Sequence, residues 1–179
     1  MADVFTQAKR SEVMARIRSR GNRDTELALA KLLRAHKIIG WRRHRLVRVA
    51  VEGSSLRVEA RKPRRSPQRS TFSYQLTVRP DFVFPKQRVA VFVDGCFWHG
   101  CPKHATQPKN NRAFWRKKLA GNKARDARVN RALRRAGWRV VRIWEHQLSK
   151  CEVGWTQGEP APLIQRIERL VAGGLSGAA

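Results

Sequence analysis

An uninterrupted apolar run from Val89 to Val93 is the feature of this 179-residue chain that most constrains its fold. A strand with apolar side chains on both faces must be covered on both sides, which is typical of a sheet with helices above and below it. Two further segments predict strands: RPDFVF upstream, where the proline suits a strand start, and WRVVRIW downstream. The length suits one domain with its own core, so we expect a single domain over residues 1–179.

Helical patterns surround these strands. The stretch LALAKLL repeats leucines at helical spacing and predicts an amphipathic helix, capped by Asn22 or Asp24 and stopping near Gly40. Residues 111–136 predict a long helix that carries ten Lys or Arg and one acidic residue and ends at Gly137. PLIQRIERLV predicts a last amphipathic helix. Helices alternating with strands indicate a mixed α/β domain.

The region between the first leucine-rich helix and RPDFVF is less regular. RRHRLVRVAV predicts a strand with Leu46 and neighbouring valines facing inward. Residues 53–73 contain six Lys or Arg and one acidic residue, and their Ser, Pro and Arg content predicts a loop. A solvated loop and a DNA-contact arm both remain open for this insertion. A Gly- and Ala-rich tail at about residues 173–179 is expected to be flexible.

The charge balance favours a polyanionic partner. Lys and Arg number 39 against 13 Asp and Glu, for a formal net charge of +26. Such a potential attracts nucleic acid and strengthens binding through counterion release, and a membrane surface is the competing acidic partner. The sequence has no apolar run of membrane-spanning length and no signal-peptide core, so we expect a soluble intracellular protein without a membrane partner.

A cluster of potential metal ligands follows the apolar run. Cys96, Cys101 and His104 have C-x4-C-x2-H spacing, close enough to converge on one ion from a single loop. Tetrahedral zinc needs a fourth ligand, for which His146 is the first candidate and Cys151 the alternative. Four protein ligands would make the ion structural. Ordinary buried thiols are the competing interpretation.

Acidic residues flank the same segment. Asp81 and Asp94 lie at the ends of neighbouring predicted strands, where two carboxylates can bind Mg²⁺. Glu26 is either a third acidic contributor or a helix-start charge. His99 is the histidine of this segment left over once His104 and His146 are assigned to zinc. It suits proton donation or a phosphate contact, a structural histidine being the alternative.

Three aromatic residues accompany these ligands, namely Phe97, Trp98 and Trp115. Packing around a zinc site is their simplest role. Beside a basic groove, such side chains also wedge between base pairs and open the duplex. The arginines of the long basic helix would then contact phosphates.

Taken in order, five segments resemble the very short patch repair (Vsr) DNA mismatch endonucleases. They are MADVFTQAKRSEVMARIRSRGNRDTE, RPDFVF, VDGCFWHGCPKH, NRAFWRKKLAGNKARD and GWRVVRIWEHQL. The resemblance implies a restriction-endonuclease-like α/β fold, a mixed central sheet flanked by helices with a structural Zn²⁺. It also implies a bacterial, cytoplasmic, nucleoid-associated enzyme.

The activity implied by the resemblance is a Mg²⁺-dependent nick on the 5′ side of the mispaired thymine in a T·G mismatch, which arises when 5-methylcytosine deaminates. The implied partners are mismatched double-stranded DNA, with functional links to a cytosine-5 DNA methyltransferase and mismatch-repair proteins. A monomer is expected, because a nickase needs one active site per duplex.

Residue by residue, the resemblance assigns Mg²⁺ binding to Asp81 and to the backbone carbonyl of Val93. It places His99 near the scissile phosphate and leaves Asp94 as a ligand of metal-bound water or a base. It matches Glu26 to an acidic residue of the leading helix. The positions that wedge into the duplex are Met14, Phe97, Trp98 and Trp115.

Two departures from the family pattern bear on function. Some members have a different mixture of Cys and His at the zinc positions, a chemically ordinary exchange. The insertion before Arg79 lies close to the catalytic strand and bears on DNA docking. Two alternatives therefore stand beside the mismatch nickase: a sequence-specific nuclease or nickase without mismatch dependence, and a non-catalytic, zinc-stabilised DNA-binding protein.

Overall fold

The structure is a computed structural model, and it describes residues 23–52, 73–108, 110–148 and 162–173, with Thr6, Ala8, Lys9 and Glu12. A π-helical segment, Arg23–Leu27, opens the main described part. The elements that follow in chain order are α1 (Ala28–Ala35), β1 (Arg42–Arg43), β2 (Val47–Glu52), β3 (Ser73–Val78), β4 (Phe82–Phe84), β5 (Val89–Asp94), α2 (Arg112–Arg135), β6 (Arg139–Trp144) and α3 (Pro162–Ala172).

The central sheet has four strands in the order β1-β4-β5-β6. β5 pairs antiparallel with β4 and parallel with β6, and α2 connects the two parallel strands. The apolar run therefore forms an interior strand, as its sequence predicts. Val89, Ala90 and Val91 are at most 1% exposed, because both faces of the sheet are covered.

Two apolar cores lie on opposite faces of this sheet. The first packs α1 and α3 against one face, with fully buried Leu29, Leu33, Phe82, Phe84, Ile164 and Ile167. The second packs α2 and the β2–β3 hairpin against the other face, and includes Val49, Val78, Val83, Ala90 and Leu133. The predicted mixed α/β class is thus confirmed: a central mixed sheet stands between helices on both sides.

The hairpin corrects one expectation. β2 and β3 pair antiparallel from Val47 opposite Val78 to Glu52 opposite Ser73. The strand begins one residue after Leu46, whose side chain is 45% exposed instead of facing inward. The valines of β2 do face the core, because alternation along the strand directs Val47 and Val49 toward α2.

The first helix ends earlier than predicted. α1 stops at Ala35, whereas the sequence indicated an end near Gly40. Lys37 adopts a left-handed φ of 55°, and the backbone N–H of Ile38 donates to the Leu33 carbonyl at 2.9 Å. This is a helix end of the Schellman type, with lysine in the position that glycine usually takes. A lysine there gives no sequence signal, which explains the error.

The long basic helix ends where expected. Gly137 has a φ of 77°, and its N–H donates to the Arg134 carbonyl at 3.0 Å, while Trp138 N–H donates to the Leu133 carbonyl at 2.9 Å. This is the same motif with its preferred residue, since glycine has no Cβ to strain in that conformation. The turn directs the chain straight into β6.

Several expectations fall on residues that the structure does not describe. They concern Met14, Asn22, Cys151, residues 53–72 and the tail after Gly173. Among the described residues, no helix is long and apolar enough to cross a membrane.

Candidate active site and metal centre

The potential functional groups gather at one end of the central sheet. β5 and β6 run parallel and finish there at Asp94 and Trp144. β4 runs the opposite way and starts there, directly after Asp81. The loop that follows β5 and the helical turn at residues 145–148 that follows β6 leave the sheet at the same end. Ends of parallel strands are common places for binding sites, because loops from several strands converge on them.

Cys96, Cys101, His104 and His146 converge as the C-x4-C-x2-H spacing suggested. Their ligand atoms all lie within 4.8 Å of one another. Sγ of Cys96 is 3.2 Å from Nδ1 of His146, and Sγ of Cys101 is 3.6 Å from the same nitrogen and 3.8 Å from Nδ1 of His104. Two ligands on tetrahedral Zn²⁺ at ordinary Zn–S and Zn–N bond lengths are separated by about 3.6 Å. The donor set and its spacing therefore fit a closed zinc site.

The surroundings of this cluster act in opposite directions on its two thiols. Burial raises the pKa of the Cys96 thiol. Burial also opposes ionisation of the Cys101 thiol, but hydrogen bonds from the backbone of Lys103 and His104, together with Cys96 and the Lys103 charge, lower its pKa. The carboxylate of Glu145 accepts a hydrogen bond from the backbone N–H of Cys96 at 3.1 Å. Thiolate is the form that binds metal, so an acidified Cys101 suits a ligand.

Asp81 directly precedes β4 and lies beside the end of β5. Its Oδ2 accepts a 2.7 Å hydrogen bond from the backbone N–H of Val93. Burial, the largest cause, raises the pKa of Asp81 from 3.8 to about 6, and the negative charges of Glu26 and Asp94 add to that rise. A buried carboxylate among like charges is stabilised by a bound cation. The described contact with Val93 is through its N–H, so ligation by the Val93 carbonyl stays a prediction.

Glu26 and His44 join Asp81 in a second ligand group. Their potential ligand atoms lie within 4.8 Å of one another. Glu26 is only 5% exposed, and its Oε2 is 2.9 Å from Nη2 of Arg43 and 3.0 Å from Nε2 of His44. Glu26 therefore lies at the helical start, as the sequence indicates, and is also a buried carboxylate with partners on the turn after β1; a part in metal binding stays a prediction. The backbone N–H of His44 donates to the Asp81 carbonyl at 3.1 Å, which ties the two residues together.

His99 stands on the loop between the two cysteines. Its Nδ1 is 2.6 Å from Oδ2 of Asp126, which lies on α2, and 3.6 Å from Oδ1 of Asp94. The amide of Asn122, one turn before Asp126, donates to the Trp98 carbonyl at 2.9 Å and holds this loop against the helix. A carboxylate at Nδ1 fixes the ring orientation and leaves Nε2 as the nitrogen for substrate.

Asp94 lies on the other face of β5 from Val93, toward α2. It is 3% exposed, and its two oxygens accept hydrogen bonds from Nη1 of Arg142 at 2.7 and 2.8 Å. The structure thus brings Asp94 close to His99 but separates it from the ligand group of Glu26, His44 and Asp81.

Phe97, Trp98 and Trp115 form one aromatic cluster beside this end of the sheet. Their ring centroids are 5.0 to 6.0 Å apart, at tilted or edge-to-face angles. All three are partly exposed. Phe114, 61% exposed and 5.3 Å from the Trp115 ring, extends the cluster outward. The start of α2, where Trp115 stands, therefore presents exposed rings next to a strongly basic helix.

Four residues at this end of the sheet were not singled out from the sequence: His44, Phe114, Asp126 and Arg142. Asp126 did carry a signal, since it is the one acidic residue in a helix with ten Lys or Arg. His44 and Arg142 carried none, because a histidine among arginines and an arginine in a strand are both common on basic surfaces. Only the paired strands and the turn at His44 bring them to the site.

Comparisons with known proteins match this arrangement. The family model described as DNA mismatch endonuclease Vsr matches residues 70–105, which contain Asp81, Asp94, His99 and the loop with Cys96 and Cys101. The Type II nicking enzyme V.NaeI of Lentzea aerocolonigenes is 56% identical over 70 residues, which are 39% of this chain and 42% of that protein.

Two relatives align over most of both chains. The Type II nicking enzyme V.XorIIP of Xanthomonas oryzae pv. oryzae is 34% identical over 150 residues, covering 83% of this chain and 88% of that protein. The DNA mismatch endonuclease Vsr of Escherichia coli (strain K12) is 31% identical over 176 residues, covering 97% and 90%. Similarity of this extent, together with the family model's match across the Cys/His loop, shows that the chain belongs to the Vsr endonuclease family.

Proposed function

We propose that this protein is a DNA mismatch endonuclease that nicks the strand 5′ of the mispaired thymine in a T·G mismatch, with Mg²⁺ as cofactor. The observation that carries the proposal is that one end of the sheet holds both the acidic group of Glu26, His44 and Asp81 and the carboxylate-paired His99. Membership of the Vsr family supports it. A restriction-endonuclease-like fold over a single domain of residues 1–179 is part of the same proposal.

The ligand group at Asp81 is suited to a divalent cation. Asp81 and Glu26 supply carboxylate oxygens, which Mg²⁺ prefers. The pKa of Asp81 is raised first by burial and then by neighbouring negative charges, and a bound cation would favour its ionised form. The Val93 carbonyl is the predicted additional ligand. When bound, such a cation stabilises charge on the phosphodiester and lowers the pKa of a water molecule. The protein's part is to hold these partly buried oxygens close together at the end of the sheet.

His99 handles the proton in this proposal. Asp126 holds its Nδ1 at 2.6 Å, so Nδ1 carries the hydrogen and Nε2 faces the reacting groups. A histidine oriented by a carboxylate in this way can transfer a proton to or from a phosphate oxygen or water. The role of the pair is positional as well as chemical, because the carboxylate keeps the ring from turning.

DNA binding is assigned to the aromatic cluster and to α2. Phe97, Trp98 and Trp115, with Met14, are the proposed wedge at the mismatch, and the exposed ring of Phe114 lies beside them. Ten Lys or Arg between residues 111 and 136 provide phosphate contacts. Unstacking a base step costs a few kcal/mol, and contacts along the basic helix offset that cost.

The proposed Zn²⁺ at Cys96, Cys101, His104 and His146 is structural. Three of its ligands lie on the loop that carries His99, and the fourth follows β6, so the ion would join two strand ends and fix the loop between them. Because T·G mismatches arise when 5-methylcytosine deaminates, the proposed substrate implies functional links with a cytosine-5 DNA methyltransferase and with mismatch-repair proteins. A monomer suffices for a single nick.

A strand-resolved cleavage assay tests the proposed function. It uses end-labelled duplexes that differ only in T·G or C·G at one position, with Mg²⁺ or with EDTA, across several flanking sequences. A nick immediately 5′ of the mispaired thymine, seen only with metal, is the expected result. Binding without metal-dependent cleavage on every duplex would contradict the proposal and favour the non-catalytic DNA-binding protein.

A second candidate, a sequence-specific nicking enzyme without mismatch dependence, has one observation in its favour. Several relatives, including those of Lentzea and Xanthomonas, carry the name Type II nicking enzyme. Equal cleavage of the T·G and C·G duplexes at one sequence would establish this alternative.

A further inference from the structure

We propose that Arg142 is a positioning residue that holds Asp126 against His99, and that Asp94 is the buried counter-ion of Arg142 instead of a metal ligand or a base. The inference rests on the proposed role of His99 in nicking. It assigns a role to Asp94 and a role to Arg142, both on the face of the sheet that α2 covers. For Asp94, the proposed role replaces the two that the sequence left open, a ligand of metal-bound water and a base.

Arg142 contacts its partners through every nitrogen of its guanidinium. Nη1 donates to both oxygens of Asp94 at 2.7 and 2.8 Å, Nη2 lies 3.0 Å from Oδ1 of Asp126, and Nε donates to Oδ1 of Asn130 at 3.1 Å. These partners come from β5 and α2, so one side chain ties a strand to the long helix. Only the planar, forked guanidinium can make these three contacts at once.

The backbone places Arg142 for this task. It stands opposite Phe92 in the parallel pairing of β5 with β6, and its guanidinium carbon lies 4.9 Å from the centre of the Phe92 ring. The ring covers one face of the guanidinium. Its side chain is 20% exposed and that of Asp94 4%, which makes the pair a largely desolvated one. Contacts of this kind hold a fixed geometry better than exposed ion pairs do.

Asp126 is held at both oxygens. Oδ1 faces Nη2 of Arg142 and Oδ2 faces Nδ1 of His99, at 3.0 and 2.6 Å. Without Arg142, His99 would be the one partner left to the carboxylate among the described residues, and the carboxylate could turn about its own side-chain bonds. The orientation of the His99 ring therefore depends on a residue that does not touch it.

The same contacts argue against the other roles of Asp94. Both of its oxygens accept from Arg142, and it lies outside the ligand group of Glu26, His44 and Asp81. A metal ligand or a general base needs a lone pair directed at the metal or the proton. In Asp94 each oxygen already accepts from Arg142, whose permanent positive charge offsets the carboxylate and makes it a weaker metal ligand and a weaker base.

The test compares four variants with the wild-type protein: Arg142→Met, Arg142→Lys, Asp94→Asn and the double variant D94N/R142M. Arg139→Met is the matched control, since Arg139 lies on the same strand with its side chain on the opposite face and contacts the Gln87 carbonyl. Single-turnover nicking, DNA affinity and thermal unfolding are measured on each protein. The ring nitrogens of His99 are followed by ¹⁵N NMR, which reports the tautomer independently of activity.

We expect Arg142→Met to lower the nicking rate at least about 10-fold, as part of the 10²–10⁴-fold that a positioned proton-transfer group contributes. DNA affinity should stay within about 3-fold, since the buried side chain faces carboxylates and not phosphate. Lysine should not restore the rate, because a single ammonium cannot span Asp94 and Asp126 together. NMR should show the Nδ1–H tautomer of His99 in the wild type and in R139M, and a mixture of tautomers in both Arg142 variants.

The double variant separates positioning from stability. It removes the unpaired charge that Arg142→Met leaves on Asp94, so its unfolding temperature should recover toward that of the wild type while its nicking rate stays low. A double variant that nicks at the wild-type rate, or a His99 tautomer unchanged by loss of Arg142, would overturn the inference. If the wild type itself does not nick any duplex, the proposed function fails, and the NMR result still decides the positioning claim.

Discussion

Two groups of potential metal ligands lie at the same end of the sheet, and they are built in opposite ways. In the Cys/His group, three of four ligands lie within nine residues of one loop. In the group of Glu26, His44 and Asp81, each ligand comes from a different part of the chain: the π-helical segment, the turn after β1 and the start of β4. The first has soft sulfur and nitrogen donors, and the second has two carboxylates and an imidazole.

The two groups also differ in their charge balance. Arg43 contacts Glu26 directly, so a cation of the protein partly neutralises the acidic group. Four ligands close a coordination sphere, whereas three leave positions for water and a phosphate oxygen. The comparison supports the proposal that the first group holds a structural ion and the second an ion with coordination positions open to substrate. Four experiments test that distinction.

The largest effect is expected at the Cys/His group. Cys96→Ser should lose one equivalent of zinc and most of the folded structure at 37 °C, because structural zinc contributes on the order of 10 kcal/mol in small domains. Elemental analysis and circular dichroism measure the two losses. Removal of metal from the wild type with a strong chelator should reproduce them. Well-folded wild-type protein without zinc would refute the assignment.

Asp81→Asn should abolish nicking without unfolding the protein. Loss of a metal ligand that stabilises the transition state by several kcal/mol lowers the rate at least about 100-fold. Asparagine retains an oxygen to accept the Val93 N–H, so the local structure should persist. End-labelled T·G duplex measures cleavage, and electrophoretic mobility measures binding. Cleavage at the wild-type rate with Mg²⁺ would remove Asp81 from the mechanism.

The stability and metal affinity of the acidic group should both change around pH 6, where Asp81 titrates. The pKa of Asp81 is raised from 3.8 to about 6, so the folded state binds a proton more tightly than the unfolded state does. In metal-free protein, this group's contribution to stability is present below pH 3.8 and is lost as pH rises through about 6.

Metal binding has the opposite sign, because a cation competes with that proton. The affinity for Mn²⁺ or Mg²⁺ should rise with pH through about 6 in the wild type and lose this dependence in Asp81→Asn. Isothermal titration calorimetry from pH 5 to 7.5 measures it. An affinity that does not change over this range would show that Asp81 does not bind the cation.

The smallest of these effects is expected at His44. His44→Ala removes one donor of the acidic group and should weaken Mn²⁺ binding about 10-fold, with a smaller change for Mg²⁺, which prefers oxygen ligands. The electron paramagnetic resonance signal of free Mn²⁺ measures the affinity. His36→Ala, at the end of α1 and outside the group, is the control. Equal affinities in both variants would reduce His44 to a hydrogen-bond partner of Glu26.

How far the sequence predicts these features depends on how local each one is. The strand from Val89, the Gly137 helix end and the Cys/His spacing are encoded in short patterns, and the structure has them as expected. The end of α1 was missed because Lys37 adopts a conformation usually reserved for glycine. Arg142 and His44 were missed because their roles depend on pairing between segments 12 to 48 residues apart, which no local pattern contains.

The β2–β3 hairpin has a consequence for how this protein can vary. Residues 53–72 connect Glu52 to Ser73, and these two residues pair with each other. The antiparallel pairing of β2 with β3 continues from there to Val47 opposite Val78. A change in their length is therefore absorbed at the tip of the hairpin and does not shift the register of β4 behind Asp81. Loop closure costs only about 0.6 kcal/mol more for each doubling of length. The sequence between Glu52 and Ser73 can therefore be exchanged while the residues around Asp81 keep their positions.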